Sequence, residues 1–183
     1  MGRRWDRLIF NAALGTALTG EDGTGSETWP TTGTQSGTSH QIAHGGTGLT
    51  LAKLITAKKL LDAEDVEEED RHIFISPDGL EDLLNDTTVT SRDYNTIQAL
   101  VRGEINSFVG FEFHRSTLLA KSGTTRSCIA LQRMGLGLAI GMDTKQRISE
   151  RDDKNYSTQV FFEFVAGAVR IDGDRVVEVQ ITE

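Results

Sequence analysis

The stretch from Arg71 to Ser116 constrains the fold more than any other part of the chain. Its apolar run His72-Ile73-Phe74-Ile75 is short enough for a strand and breaks at Ser76-Pro77. Ser76 suits a helix N-cap, because its hydroxyl can accept a first-turn N–H, and Pro77 suits the first helical position, where its missing N–H is not needed. Leu80, Leu83 and Leu84 then share a helical face, with Asp78, Glu81 and Asp82 towards the positive end of the dipole. A polar interval, Asn85 to Asp93, leads to a second short helical pattern at Tyr94 to Val101. Gly110-Phe111-Glu112-Phe113-His114-Arg115-Ser116 then alternates as a strand does, with Phe111 and Phe113 on one face.

The rest of the chain mixes both periods. Trp5, Leu8, Ile9, Ala12 and Ala13 give a helical pattern over Gly2 to Leu18, with Gly15 and Gly20 placed to end it. Thr19 to Gly48 is a Gly/Thr/Ser tract whose apolar anchors are Trp29-Pro30 and Ile42, and it reads as a long loop that orders only against neighbours. Thr50 is placed to cap a helix carrying Leu51, Leu54, Ile55, Lys58 and Leu61, which the acidic run Glu64 to Asp70 is expected to end in solvent. From Ser127 the period becomes two, through Ile129 and Leu131 and then Leu136, Leu138 and Ile140. Val160 to Val165 is a strand with apolar groups on both faces, and Asp172-Gly173-Asp174 turns the chain into Val176 to Ile181. Helices and strands without a βαβ repeat imply an α+β fold with a mixed sheet.

Charge and composition exclude several function classes. Nineteen Lys and Arg against 27 Asp and Glu give a net charge of −8, which disfavours partners held by phosphate neutralisation, so neither specific nucleic-acid binding nor a membrane surface is expected. No apolar run approaches the roughly 18 residues of a membrane span. Cys128 is the single cysteine and lies in an apolar alternation, as a buried structural thiol would.

No constellation of residues demands chemistry, and no catalytic, cofactor or metal residue is assigned. His40 and His44 stand four apart, as metal ligands on a helix do, but in a Gly/Thr loop without a third His or Cys. With the Gly-rich loop they support an alternative reading as a small ligand- or metal-binding module. Gly45-Gly46-Thr47-Gly48 with Lys53 lacks the Lys-Ser/Thr pair of a phosphate loop, and Gly135, Gly137 and Gly141 fit close strand packing better than a dinucleotide fingerprint. Glu67, Glu68, Glu69 and Asp70, like Asp152 and Asp153, read as solvated surface. The triplets Asn85-Asp86-Thr87 and Asn155-Tyr156-Ser157 match the glycosylation acceptor by chance spacing in a chain with no secretory signal pattern.

The order strand, Ser-Pro, helix, then Gly-Phe-Glu-Phe-His-Arg-Ser resembles the A-domain of major capsid proteins of tailed bacteriophages. Gly2-Arg3-Arg4-Trp5-Asp6-Arg7-Leu8-Ile9 is similar to the end of that family's spine helix. Ile148 to Val160, with Glu150-Arg151-Asp152-Asp153-Lys154-Asn155-Tyr156, and then Gly167-Ala168-Val169-Arg170, resemble its peripheral-domain strands. The resemblance implies a capsid fold divided into the end of a spine helix (1–19), a Gly/Thr-rich loop (20–48), an A-domain-like body (49–142) and P-domain strands (143–183). It implies a structural, non-enzymatic coat subunit of the virion whose partners are copies of itself, with no cofactor. Such subunits carry an N-terminal arm and an extended hairpin, the E-loop, ahead of the spine helix. A chain starting at Met1 has room for neither, so a C-terminal part that closes shells poorly by itself is expected.

Overall fold

The computed structural model describes residues 2–14, 40–86 and 107–183. The helical pattern at Tyr94 to Val101, the interval from Thr87 to Asp93, the stop signals Gly15 and Gly20 and the tract from Thr19 to Ser39 lie outside the described residues. In chain order the elements are α1 (Gly2–Ala13), β1 (Gln41–Ile42), α2 (Leu51–Ala63), β2 (Arg71–Ile75), α3 (Pro77–Asn85), β3 (Ser107–Phe108), β4 (Phe111–Arg115), β5 (Lys121–Ser122), β6 (Thr125–Gln132), β7 (Leu136–Arg151), β8 (Ser157–Arg170) and β9 (Val176–Thr182).

A mixed sheet runs β1-β9-β6-β2-β4-β3, with β5 paired to β6. The pairs β1/β9 and β2/β4 are parallel, and the others antiparallel. The described parts of the block, Arg71 to Asn85 and Phe111 to Arg115, form the strands and helix that their residue pattern predicts. Ser76 Oγ accepts from Gly79 N at 3.2 Å and starts α3, which returns the chain so that Ile73 lies beside Phe113. By register, Ile73, Phe113, Ala130 and Val177 share one face with Cys128 and Val179, and Phe74, Ile129 and Glu178 lie on the other. Both faces are covered. Phe10 of α1 meets Phe74 edge-on at 5.2 Å, and α3 packs against the opposite face, where a Cβ on Gly79 would stand 3.4 Å from Ile181 and Leu49. Each Ile, Leu or Phe fully withdrawn from water here contributes roughly 1.5–3 kcal/mol.

The helix α2 departs from its expected pattern. Thr50 caps it, accepting from Lys53 N at 3.4 Å, but the buried stripe is Lys53, Leu54, Ala57, Leu60 and Leu61, while Ile55 is exposed. Lys53 is tolerated inside because its ammonium donates to the carbonyls of His44, Thr47, Gly48 and Gln180 at 2.8–3.1 Å. The acidic run does not end the helix in solvent as expected. Glu64 caps the last turn and is buried beside His40, and Val66 is buried too, whereas Asp65 and Glu67 to Asp70 are exposed. Buried Arg71 holds this segment, donating to Asp62 Oδ1 at 2.6 Å, to Glu67 O at 2.8 Å and to Val66 O.

The strands β7 and β8 form a separate two-stranded antiparallel ribbon, from Leu136 opposite Arg170 to Arg151 opposite Ser157. Its tip is a 3-10 turn, Asp152–Lys154, followed by Asn155 and Tyr156 at φ of 54° and 57°. The pairing is irregular between Ile140 and Lys145, where β7 carries extra residues.

Candidate assembly surface

The ribbon has two parts. Near its base, β8 alternates between half-buried Phe164, Ala166 and Ala168 and exposed Val165, Gly167 and Val169, which matches the contact of α1 with β8. Arg170 fixes the junction: its Nη1 donates to Ala13 O at 3.3 Å, placing a cation at the negative end of α1. Beyond Phe164 the ribbon leaves this cover. Ile148 is 68% exposed, Phe162 51% and Phe161 50%, and Val160 and Tyr156 are also exposed. The register puts Phe162, opposite Gln146, and Val160, opposite Ile148, on one face, and Phe161, opposite Arg147, on the other. Both faces therefore offer apolar area to solvent along a ribbon that, with two strands, is marginal in water by itself.

The candidate polar residues fall elsewhere. His40 and His44 do not converge. His40 is fully buried, with Nδ1 3.2 Å from Val176 O, whereas His44 Nδ1 accepts from Gly46 N at 3.0 Å and lies 3.2 Å from Thr182 Oγ1. The placement of His40 in a loose Gly/Thr loop is thus corrected, because β1 pairing with β9 draws it under the sheet edge. Gly45 to Gly48 make no phosphate cradle, since the Lys53 ammonium is already spent on backbone carbonyls, and its burial lowers the Lys53 pKa despite Asp82 and Cys128 nearby. Gly135, Gly137 and Gly141 serve close packing: an added Cβ would lie 2.9 Å from Arg175 Cβ, 3.0 Å from Ile171 and 3.3 Å from Val165 respectively. Burial pushes the Cys128 thiol up to about 12, so it offers no thiolate at neutral pH.

Sequence reasoning missed a second titratable cluster on the sheet. Parallel pairing of β2 with β4 brings together His72, Glu112 and His114, with His72 Nδ1 3.3 Å from Glu112 Oε2 and 3.1 Å from His114 Nε2. The signal was the matching alternation of the two strands, which puts these residues on the face that carries Phe74. No helix among the described residues is long and apolar enough to cross a membrane.

The family described as "Phage capsid protein" matches residues 1–183. The chain belongs to that family. The fold is that of solved capsids. The capsid of Ralstonia phage GP4 superposes with a TM-score of 0.65 at 13% identity, covering 98% of this chain and 63% of that one. For the capsid of cyanophage P-SCSP1u the values are 0.56, 21%, 78% and 53%. For the holo-SrpI encapsulin complex of Synechococcus elongatus PCC 7942 they are 0.57, 10%, 100% and 62%. No curated protein matches the chain. This phage capsid family member spans about half to three-fifths of the length of these three solved chains. The α+β capsid fold expected from the motif at Arg71 to Ser116 is the observed one.

Proposed function

We propose that the chain is a structural subunit of a virion capsid shell, with copies of itself as partners. The observation that carries this reading is the ribbon β7–β8, whose apolar side chains lie on both faces and are uncovered beyond Phe164. Neighbouring subunits cover them, and closed symmetry repeats one such contact around the shell. In place of the expected boundary at 142/143, the ribbon from Leu136 to Arg170 with α1 makes the P-domain-like part, and the sheet, including β9 (Val176–Thr182), with α2 and α3 makes the A-domain-like body. The contacts of α1 with β7 and β8 support that division, and so does the separate pairing of the ribbon. The subunit is not an enzyme and does not grip nucleic acid specifically. A thiol held protonated by burial and a net charge of −8 support both statements.

The test is sedimentation of the whole chain over a range of concentration beside the double variant Ile148→Asp, Phe161→Asp. The expected result is concentration-dependent self-association of the parent and a monomeric variant with an unchanged melting temperature. Equal association of the two would overturn the proposal.

A further inference from the structure

Three segments far apart in sequence meet at the β1 edge of the sheet: His40 entering β1, Glu64 at the end of α2, and Asp174 in the turn before β9. Their ligand atoms all lie within 4.8 Å of one another. We propose that His40, Glu64 and Asp174 bind one divalent cation of the zinc class, which clamps α2 and the β8–β9 turn onto β1. This inference does not depend on the shell reading.

The state of His40 carries the argument. Its Nδ1 lies 3.2 Å from Val176 O, and a carbonyl only accepts, so Nδ1 holds the ring proton. In the neutral ring, Nε2 then carries a lone pair. It is fully buried, has no hydrogen-bond partner among the described residues, and points at a second electron-rich group, Glu64 Oε1, 3.7 Å away. A ligating histidine is usually oriented in this way, with its other ring N–H donated to a backbone carbonyl. The third corner is also electron-rich. Asp174 offers a carboxylate oxygen within 4.8 Å of both other ligand atoms. A cation satisfies the lone pair and relieves the carboxylates together.

Ligand chemistry selects the ion. One imidazole with two carboxylates suits zinc-class metals, whereas magnesium and calcium favour oxygen-only shells. Zinc ligands at 2.0–2.2 Å stand roughly 3.4 Å apart in a tetrahedron, so the 3.7 Å between His40 and Glu64 needs only a small contraction. The cluster His72, Glu112 and His114 is the natural control. It is more exposed, and its two imidazole nitrogens are already within hydrogen-bonding distance of each other at 3.1 Å.

The experiment uses the whole chain, stripped with chelator and titrated with Zn²⁺ by calorimetry, and with Co²⁺ by absorption to report imidazole ligation. One equivalent per chain is expected, unaffected by excess Mg²⁺. Asp174→Asn and His40→Gln weaken it at least about tenfold, while His114→Gln leaves it unchanged. Asp174 is only partly buried, so Asp174→Asn keeps the fold and decides the matter if His40→Gln does not fold. The proposal is overturned if the parent takes up no Zn²⁺, if Asp174→Asn binds as tightly as the parent, or if His114→Gln abolishes binding.

Discussion

The body and the ribbon solve the same problem in opposite ways. In the body, strands such as β6 bury consecutive residues from Cys128 to Gln132, because α1 covers one face and α2 and α3 the other. Even a charged group can be enclosed and paired there. The Glu183 carboxylate, which has 2% side-chain exposure, receives Arg126 at 2.8 Å and Lys121 at 3.1 Å. In the ribbon, β8 is as apolar from Val160 to Val165 as a core strand, yet those residues are largely exposed. Apolar composition alone therefore does not set burial; the number of covering layers does. Among the described residues the body has its covering layers, and the ribbon's outer half has none.

The sharpest way to break this comparison is to truncate one aromatic in each region. Phe111→Ala in the fully buried body is expected to cost about 3–5 kcal/mol, and Phe162→Ala on the ribbon less than about 0.5 kcal/mol, by denaturant unfolding of the dispersed chain. Comparable losses would mean that the ribbon is covered within a single chain.

The second prediction concerns acid. Burial works against the charge of Glu183, but hydrogen bonds from Arg126, Ser76 and Lys121 win and hold its pKa at about 2, below the ordinary 4.5. A carboxyl lowered by folding contributes stability that is present above the unfolded pKa and lost as pH falls through the folded one. Roughly 3 kcal/mol should disappear between about pH 4.5 and pH 2, and Glu183→Gln should flatten that slope in acid unfolding curves.

The smallest effect belongs to the turn that seats α2 against α3. A Cβ on Gly48 would fall 2.0 Å from Asp82 Oδ2, the acceptor for Leu49 N at 3.0 Å. Gly48→Ala should displace that carboxylate and cost about 1–3 kcal/mol by thermal melting, without changing self-association.

The local signals were legible where a residue type answers to its own neighbours. Ser76-Pro77 and Thr50 mark helix starts by hydroxyl chemistry and fixed φ, and Phe111 with Phe113 marks a core face by period. Lys53 and Glu64 were not legible. Each looks like a solvated charge in sequence, and each is buried by what the fold brings to it: for Lys53 the carbonyls of the preceding turn and of Gln180, for Glu64 the ring of His40. The ribbon was half legible. The strand at Val160 to Val165 was read with its apolar groups on both faces, but the polar run Asp143 to Glu150 gave no strand signal until β8 paired with it. The proposal that these faces meet other subunits had its only sequence signal in the family resemblance.

The central claim, that the ribbon needs neighbours and the body does not, is tested most directly by amide hydrogen exchange on the chain in dispersed and associated states. The account predicts that amides of Arg147 to Arg151 and Ser157 to Phe162 exchange quickly when dispersed, while those of β2, β6 and β9 are protected, and that association slows exchange in the ribbon alone. Ribbon amides as protected in the dispersed chain as those of β6 and β9 would contradict it.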